Sequence, residues 1–125
     1  MNILKELADL SEQPVITDNT GKILVNSMTN EVFINTKAFL EGFLLEGRNY
    51  EPTAWEINLL GQGTCLLMFE FNNAEITLEI GDTKWYIIFS VDSINQKLIE
   101  SYNFKPSEII YLIKFLVHDY IHPAQ

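Results

Sequence analysis

The sequence holds a single cysteine, Cys65, so no internal disulfide can form. This argues against a small secreted fold held by disulfide staples. Basic residues are scarce: 8 lysines and arginines face 17 aspartates and glutamates, for a formal net charge of −9. Nucleic-acid binding needs a cationic footprint, and so does attraction to anionic membranes. Neither ligand is expected. No apolar run approaches the roughly 18 residues of a membrane span. The segment Met1–Leu10 carries Lys5, Glu6 and Asp9 where a secretory signal would be unbroken and apolar. The expected location is therefore the cytoplasm.

Catalytic patterns are equally scarce. Gly61-Gln62-Gly63 is too short for a phosphate loop and no helix signal follows it. Cys65 sits inside the apolar run Thr64–Phe71, with neither histidine near it in sequence. A nucleophilic thiol needs a basic neighbour, so Cys65 reads as a small core residue. No pair of carboxylates is marked as acid and base. The protein is read as a non-enzyme without a cofactor.

What the sequence does contain is enough apolar material for one core. The 125 residues, 47 % of them hydrophobic, suit a single domain spanning residues 1–125. A chain of this size buries about two-thirds of its surface on folding.

Ile3, Leu4, Leu7 and Leu10 have helical spacing, which predicts a helix over residues 2–11, ended before Pro14. Val15–Thr17 and Ile23–Val25 flank Asp18-Asn19-Thr20-Gly21-Lys22, a β-hairpin signal. Glu31–Asn35 reads as a further extended run, and the pattern over residues 36–46 leaves helix or strand open. After a loop over residues 48–54, Trp55–Leu60 reads as a strand. The strongest β signal follows. Cys65–Phe71, Glu75–Ile80 and Lys84–Val91 are joined by Asn72-Asn73 and Gly81-Asp82, the chemistry of tight turns in an antiparallel meander. Ser93–Tyr102 reads as a helix. A last helix opens at Pro106, with Ile109, Leu112, Ile113, Leu116, Val117 and Tyr120 as its core stripe. The expected class is α+β. An antiparallel sheet of about five to six strands, the N-terminal hairpin plus the central meander, carries an N-terminal helix and two C-terminal helices.

His118-Asp119-Tyr120-Ile121-His122 has the i, i+4 histidine spacing of the zincin motif, which it resembles. Asp119 stands where that family has a glutamate base, and Pro123 ends the helix before another ligand. The histidines suit the negative end of a helix dipole without any ion, and no metal is expected.

Alternation along Glu75–Ile80 places Ile76, Leu78 and Ile80 on one face and Glu75, Thr77 and Glu79 on the other. Glu70 interrupts the preceding apolar run. A tight register brings it near Glu75 or Glu79, forming an acidic strip if that face is open. Tyr111, Phe115, His118 and His122 form a second stripe beside the aliphatic one on the last helix. Trp55 and Tyr50 add aromatic groups of the type that anchors interfaces.

The whole-chain profile of small size, acidity, α+β content and absent catalytic motifs resembles the immunity proteins of bacterial contact-dependent and polymorphic toxin systems. The resemblance implies that the chain binds and neutralises a cognate, basic toxin protein, for example a nuclease. The partner-binding residues would then be Glu70, Glu75 and Glu79, the loop acids Glu51 and Asp82, and the aromatic residues Trp55, Tyr111 and Phe115. A second resemblance lies in Pro14–Asn26, which is similar to the first hairpin of the PAS family. It implies a small-ligand sensor module.

Overall fold

Two periodicities divide the chain, and both are realised in a computed structural model that describes residues 2–46, 51–72, 74–91 and 94–118. Helix α1 (Ile3–Ser11) buries Ile3 and Leu7, one turn apart. Strands β1 (Ile16–Thr17) and β2 (Ile23–Val25) form the expected hairpin. The Asp18 carboxylate organises its turn by accepting hydrogen bonds from the Thr20 hydroxyl, the Thr20 N–H and the Lys22 N–H. Those donors hold the carboxyl below its usual range, the Thr20 hydroxyl contributing most.

Helix α2 (Asn30–Glu46) takes in both uncertain segments. Glu31–Asn35, expected to be extended, is its first turn and a half. The Thr29 hydroxyl accepts from the Val32 N–H at 3.2 Å, an N-cap that starts the helix just upstream. Val32, Thr36, Phe39, Leu40 and Phe43 are all buried, and their spacing is helical. The polar Thr36 inside that stripe hides the period in the bare sequence.

Strands β3 (Ala54–Leu59), β4 (Cys65–Phe71), β5 (Ala74–Ile80), β6 (Trp85–Val91) and β7 (Ile94–Ser101) form one antiparallel sheet in sequential order. The meander expectation holds, and the sheet runs one strand further than the sequence suggested. Residues 93–102, expected to be a helix, include β7, which pairs along β6 with Ile87 opposite Ile99 and Ile88 opposite Leu98. The interval of four between Ile94 and Leu98 satisfies a helical turn and a strand face equally well. The unfilled backbone edge of β6 decides between them, because its N–H and C=O groups need partners. One C-terminal helix therefore remains, α3 (Pro106–Leu116), with Pro106 in its first turn. The second helix of the layer is α2 instead. The N-terminal hairpin pairs only with itself and forms a separate two-stranded sheet.

The helices lie side by side, α1 against α2 and α2 against α3, on one face of the large sheet. α1 touches β3 and α2 touches β5. Gly42 lies at the contact of α2 with α3, where a Cβ would stand 2.6 Å from the Ile110 Cδ1 and displace the end of that side chain. Between α2 and the sheet sits an aromatic wedge, with ring centroids 5.6 Å apart for Phe39 and Phe43 and 4.9 Å for Phe43 and Phe69. Around it, Leu67, Ile76, Leu78, Ile87, Phe89, Ile109 and Ile113 are fully or almost fully buried.

Thr36 and Cys65 meet inside this core. Burial pushes the Cys65 thiol up to about 12, with the Thr36 hydroxyl acting weakly the other way. A thiol so raised is not a nucleophile at neutral pH. The Thr36 hydroxyl faces this weak partner and makes no hydrogen bond among the described residues. Thr36→Val keeps the shape and removes a desolvated hydroxyl. It should raise the unfolding free energy by about 1 kcal/mol, read as a higher urea midpoint at unchanged slope.

Candidate functional site: the open face of the sheet

Burial alternates strictly along β4, β5 and most of β6, because one pleat face lies under the helices and the other does not. Among the described residues no helix or strand lies over the second face. Its side chains form three rows across the strands. The central row runs Glu56, Met68, Thr77, Ile88, Leu98. It is mostly apolar, and Leu98 at its end is 68 % exposed. One flanking row runs Asn58, Leu66, Glu79, Tyr86, Glu100, and the other runs Ala54, Glu70, Glu75, Ser90. The strip inferred from sequence is thus part of an open face carrying five glutamates. Glu56 and Glu100 belong to it and were missed by sequence reasoning. Trp55–Leu60 was expected to be a strand but its faces were not assigned, and the segment holding Glu100 was expected to be a helix.

The two acidic rows differ in electrostatics. In the first, each carboxylate already has partners. Glu79 accepts from the Thr64 hydroxyl at 3.0 Å and from the hydroxyl of its cross-strand neighbour Tyr86. Glu100 pairs with Lys84 at 3.0 Å. The Lys84 ammonium also lies over the Tyr102 ring, 5.6 Å from its centroid. Its pKa is raised, chiefly by the bond and charge of Glu100. In the second row, Glu70 and Glu75 stand directly opposite one another on β4 and β5. Thr77 donates to Glu75 over a long 3.4 Å. No lysine or arginine whose side chain is described forms an ion pair with either carboxylate. Like charges directly opposed in a sheet cost stability, and no cation among the described side chains offsets the repulsion.

Beside Glu70 the face is indented. Ala54, the small residue paired with Glu70 across β3 and β4, helps form a hollow of about 210 Å³ lined by Ala54, Trp55, Glu56, Met68 and Glu70.

The remaining sequence candidates do not gather here. Glu51 is exposed just before β3, at the Glu70 end of the sheet. Asp82 lies in the β5–β6 turn at the opposite end, where its carboxylate accepts from the Thr83 N–H. Trp55 is partly buried and packs against the core, alternating in phase with buried Ile57. Tyr111 and Phe115 are exposed on α3, at 73 % and 47 %, with Tyr111 lining a second hollow between α2 and α3. That surface belongs to the helix layer, and the sheet lies between it and the glutamates. Tyr50 and His122 fall outside the described residues. His118 is exposed, and no group of three or more His, Cys, Asp or Glu among the described residues could hold a metal ion. No described helix is long and apolar enough to cross a membrane.

With this geometry in hand, the chain was compared with known protein families, curated proteins and solved structures, and none matched.

The bond to Glu79 and partial burial push Tyr86 up to about 12 from 10.0. A pKa raised on folding means that this contribution to stability is complete below about pH 10 and is lost as pH rises through about 12. In a phenolate absorbance titration, Tyr86→Phe should remove a late-ionising tyrosine, and Glu79→Gln should move that ionisation to lower pH. Glu75→Lys should convert a repulsive cross-strand pair into an attractive one. It is expected to stabilise the fold by about 0.5 kcal/mol in urea unfolding.

Proposed function

We propose that this protein is an immunity-type inhibitor that docks the open face of its sheet on a basic protein toxin, for example a nuclease, in the cytoplasm. The observation that carries the reading is the opposed Glu70–Glu75 pair, without a cationic partner among the described side chains, on a sheet face left open by the helices. A face that needed only solubility would be served by glutamates paired with lysines, as Glu100 is with Lys84. Opposed carboxylates without cations lower the stability of the free protein. They also supply the negative potential that steers a cationic partner and is neutralised when it docks. The exposed apolar row through Met68, Ile88 and Leu98 gives such a partner a surface to desolvate, and the acids on both sides set its position.

The sensor reading gains less support. The Pro14–Asn26 hairpin is formed, but it does not join the main sheet. The covered side of that sheet, where a ligand would be enclosed, is filled by Phe39, Phe43 and Phe69.

The test is co-expression with the product of the adjacent gene, scored by pull-down and by protection of the host cell. Capture and protection are expected. The variant Glu70→Lys/Glu75→Lys/Glu79→Lys should weaken binding by about a hundredfold and flatten its salt dependence, since charge complementarity of this kind is screened by salt. A protein that neither binds nor protects against any adjacent toxin defeats the inhibitor reading. Unchanged affinity in the triple variant removes the acidic face from it.

A further inference from the structure

The open face is uneven, and its unevenness specifies the kind of group it receives. The two acidic rows are separated by the four residues from Glu75 to Glu79, about 13 Å along a strand. Among the described side chains of this face only Glu100 is paired with a lysine, and the row of Glu70 and Glu75 borders a depression. The hollow between β3 and β4 is lined by the apolar Ala54, Trp55 and Met68 and by two carboxylates, Glu56 from β3 and Glu70 from β4. Asn58 donates to Oε1 of Glu56 at 3.0 Å, which orients that carboxylate and leaves its other oxygen available. Glu75 stands across from Glu70 on the far side.

We propose that this hollow seats one arginine side chain of the basic partner, its guanidinium held between Glu56 and Glu70. The proposal rests on the open face being the docking surface, and it adds the identity of the group that docks there. Charge complementarity selects a cation, and the shape and lining favour arginine over lysine. A guanidinium is planar, weakly hydrated and carries five donors in a fixed fork, so it can serve two carboxylates at once in a hollow with an apolar lining. The compact ammonium of lysine holds its water more tightly and presents no flat face to Met68. The flexible thioether of Met68 adapts to a flat group laid against it. The methylenes of the arginine would cover the Ala54 end of the hollow, where the small side chain leaves room. Seating the guanidinium also places positive charge beside Glu75 and relieves the repulsion across β4 and β5.

The test uses the full isotope-labelled chain titrated with the blocked peptide acetyl-Ile-Arg-Leu-amide, and with the same peptide carrying lysine or citrulline in place of arginine. The amide resonances of Ala54, Glu56, Met68 and Glu70 should move most. The arginine peptide should bind at least about fivefold more tightly than the citrulline peptide, with lysine between them, as the loss of charge-assisted bonds requires. Glu56→Gln/Glu70→Gln, isosteric changes on exposed rims, should lose that preference while retaining the native spectrum elsewhere. Glu79→Gln should keep it. Equal affinity for the arginine and citrulline peptides overturns the proposal, and so do shifts centred on Glu79 and Glu100. Shifts at the same amides that depend on protein concentration without peptide would place a second copy of the chain there and also overturn it. If the peptide misses the hollow while charge reversal still abolishes toxin protection, the arginine seat is wrong and the inhibitor reading stands. If the peptide seats as expected but no adjacent toxin is bound, the seat stands and the inhibitor reading falls.

Discussion

The wedge of Phe39, Phe43 and Phe69 between α2 and the centre of the sheet is the contact from which the remaining geometry follows. Phe69 lies on one pleat face of β4, and docking it against α2 commits every second residue of β4 to the same side. The antiparallel register then passes that choice along: Phe69 pairs with Ile76, Ile76 with Phe89, and all three are fully buried. A one-residue slip anywhere would turn a buried set outward. One helix-to-sheet contact thereby fixes which residues of these three strands face water.

The acidic face is the complement of that commitment. Nothing in Glu70 or Glu75 requires them to be opposed. They are opposed because Phe69 pairs with Ile76, and their adjacent residues must therefore pair too. A chain under selection for stability alone has inexpensive ways out, since a lysine at either position would turn repulsion into attraction. Its retention in the free fold is the feature on which the proposed docking rests. The same face shows the contrasting solution one row away, where Thr64, Tyr86 and Lys84 satisfy Glu79 and Glu100 within the chain.

The helix layer offers a different surface, with Tyr111 and Phe115 exposed on α3 and a hollow of about 430 Å³ between α2 and α3. The aromatic residues and the glutamates were grouped together from sequence as one partner-binding set. They lie on opposite sides of the layered fold, so a single small contact cannot use both. Trp55 is the exception among the aromatic residues, packed against the core yet lining the hollow beside Glu70.

The sequence by itself determined the α+β class, the meander from Cys65 to Val91, the first and last helices and the absence of disulfide chemistry. These are properties of local period, turn residues and composition, which need no distant contact to be read. It also marked Glu70, Glu75 and Glu79 as sharing a face if the register were tight. Three things were decided only by tertiary structure. The segment Ile94–Ser101 became a strand because the edge of β6 needed hydrogen-bond partners, which overrode a spacing equally suited to a helix. The stretch from Glu31 to Asn35 became helix because Thr29 capped it and the core accepted Thr36 within the stripe. Finally, a period of two defines a pair of faces without saying which is covered. That choice belonged to three helices drawn from both ends of the chain, and it left the glutamates facing water.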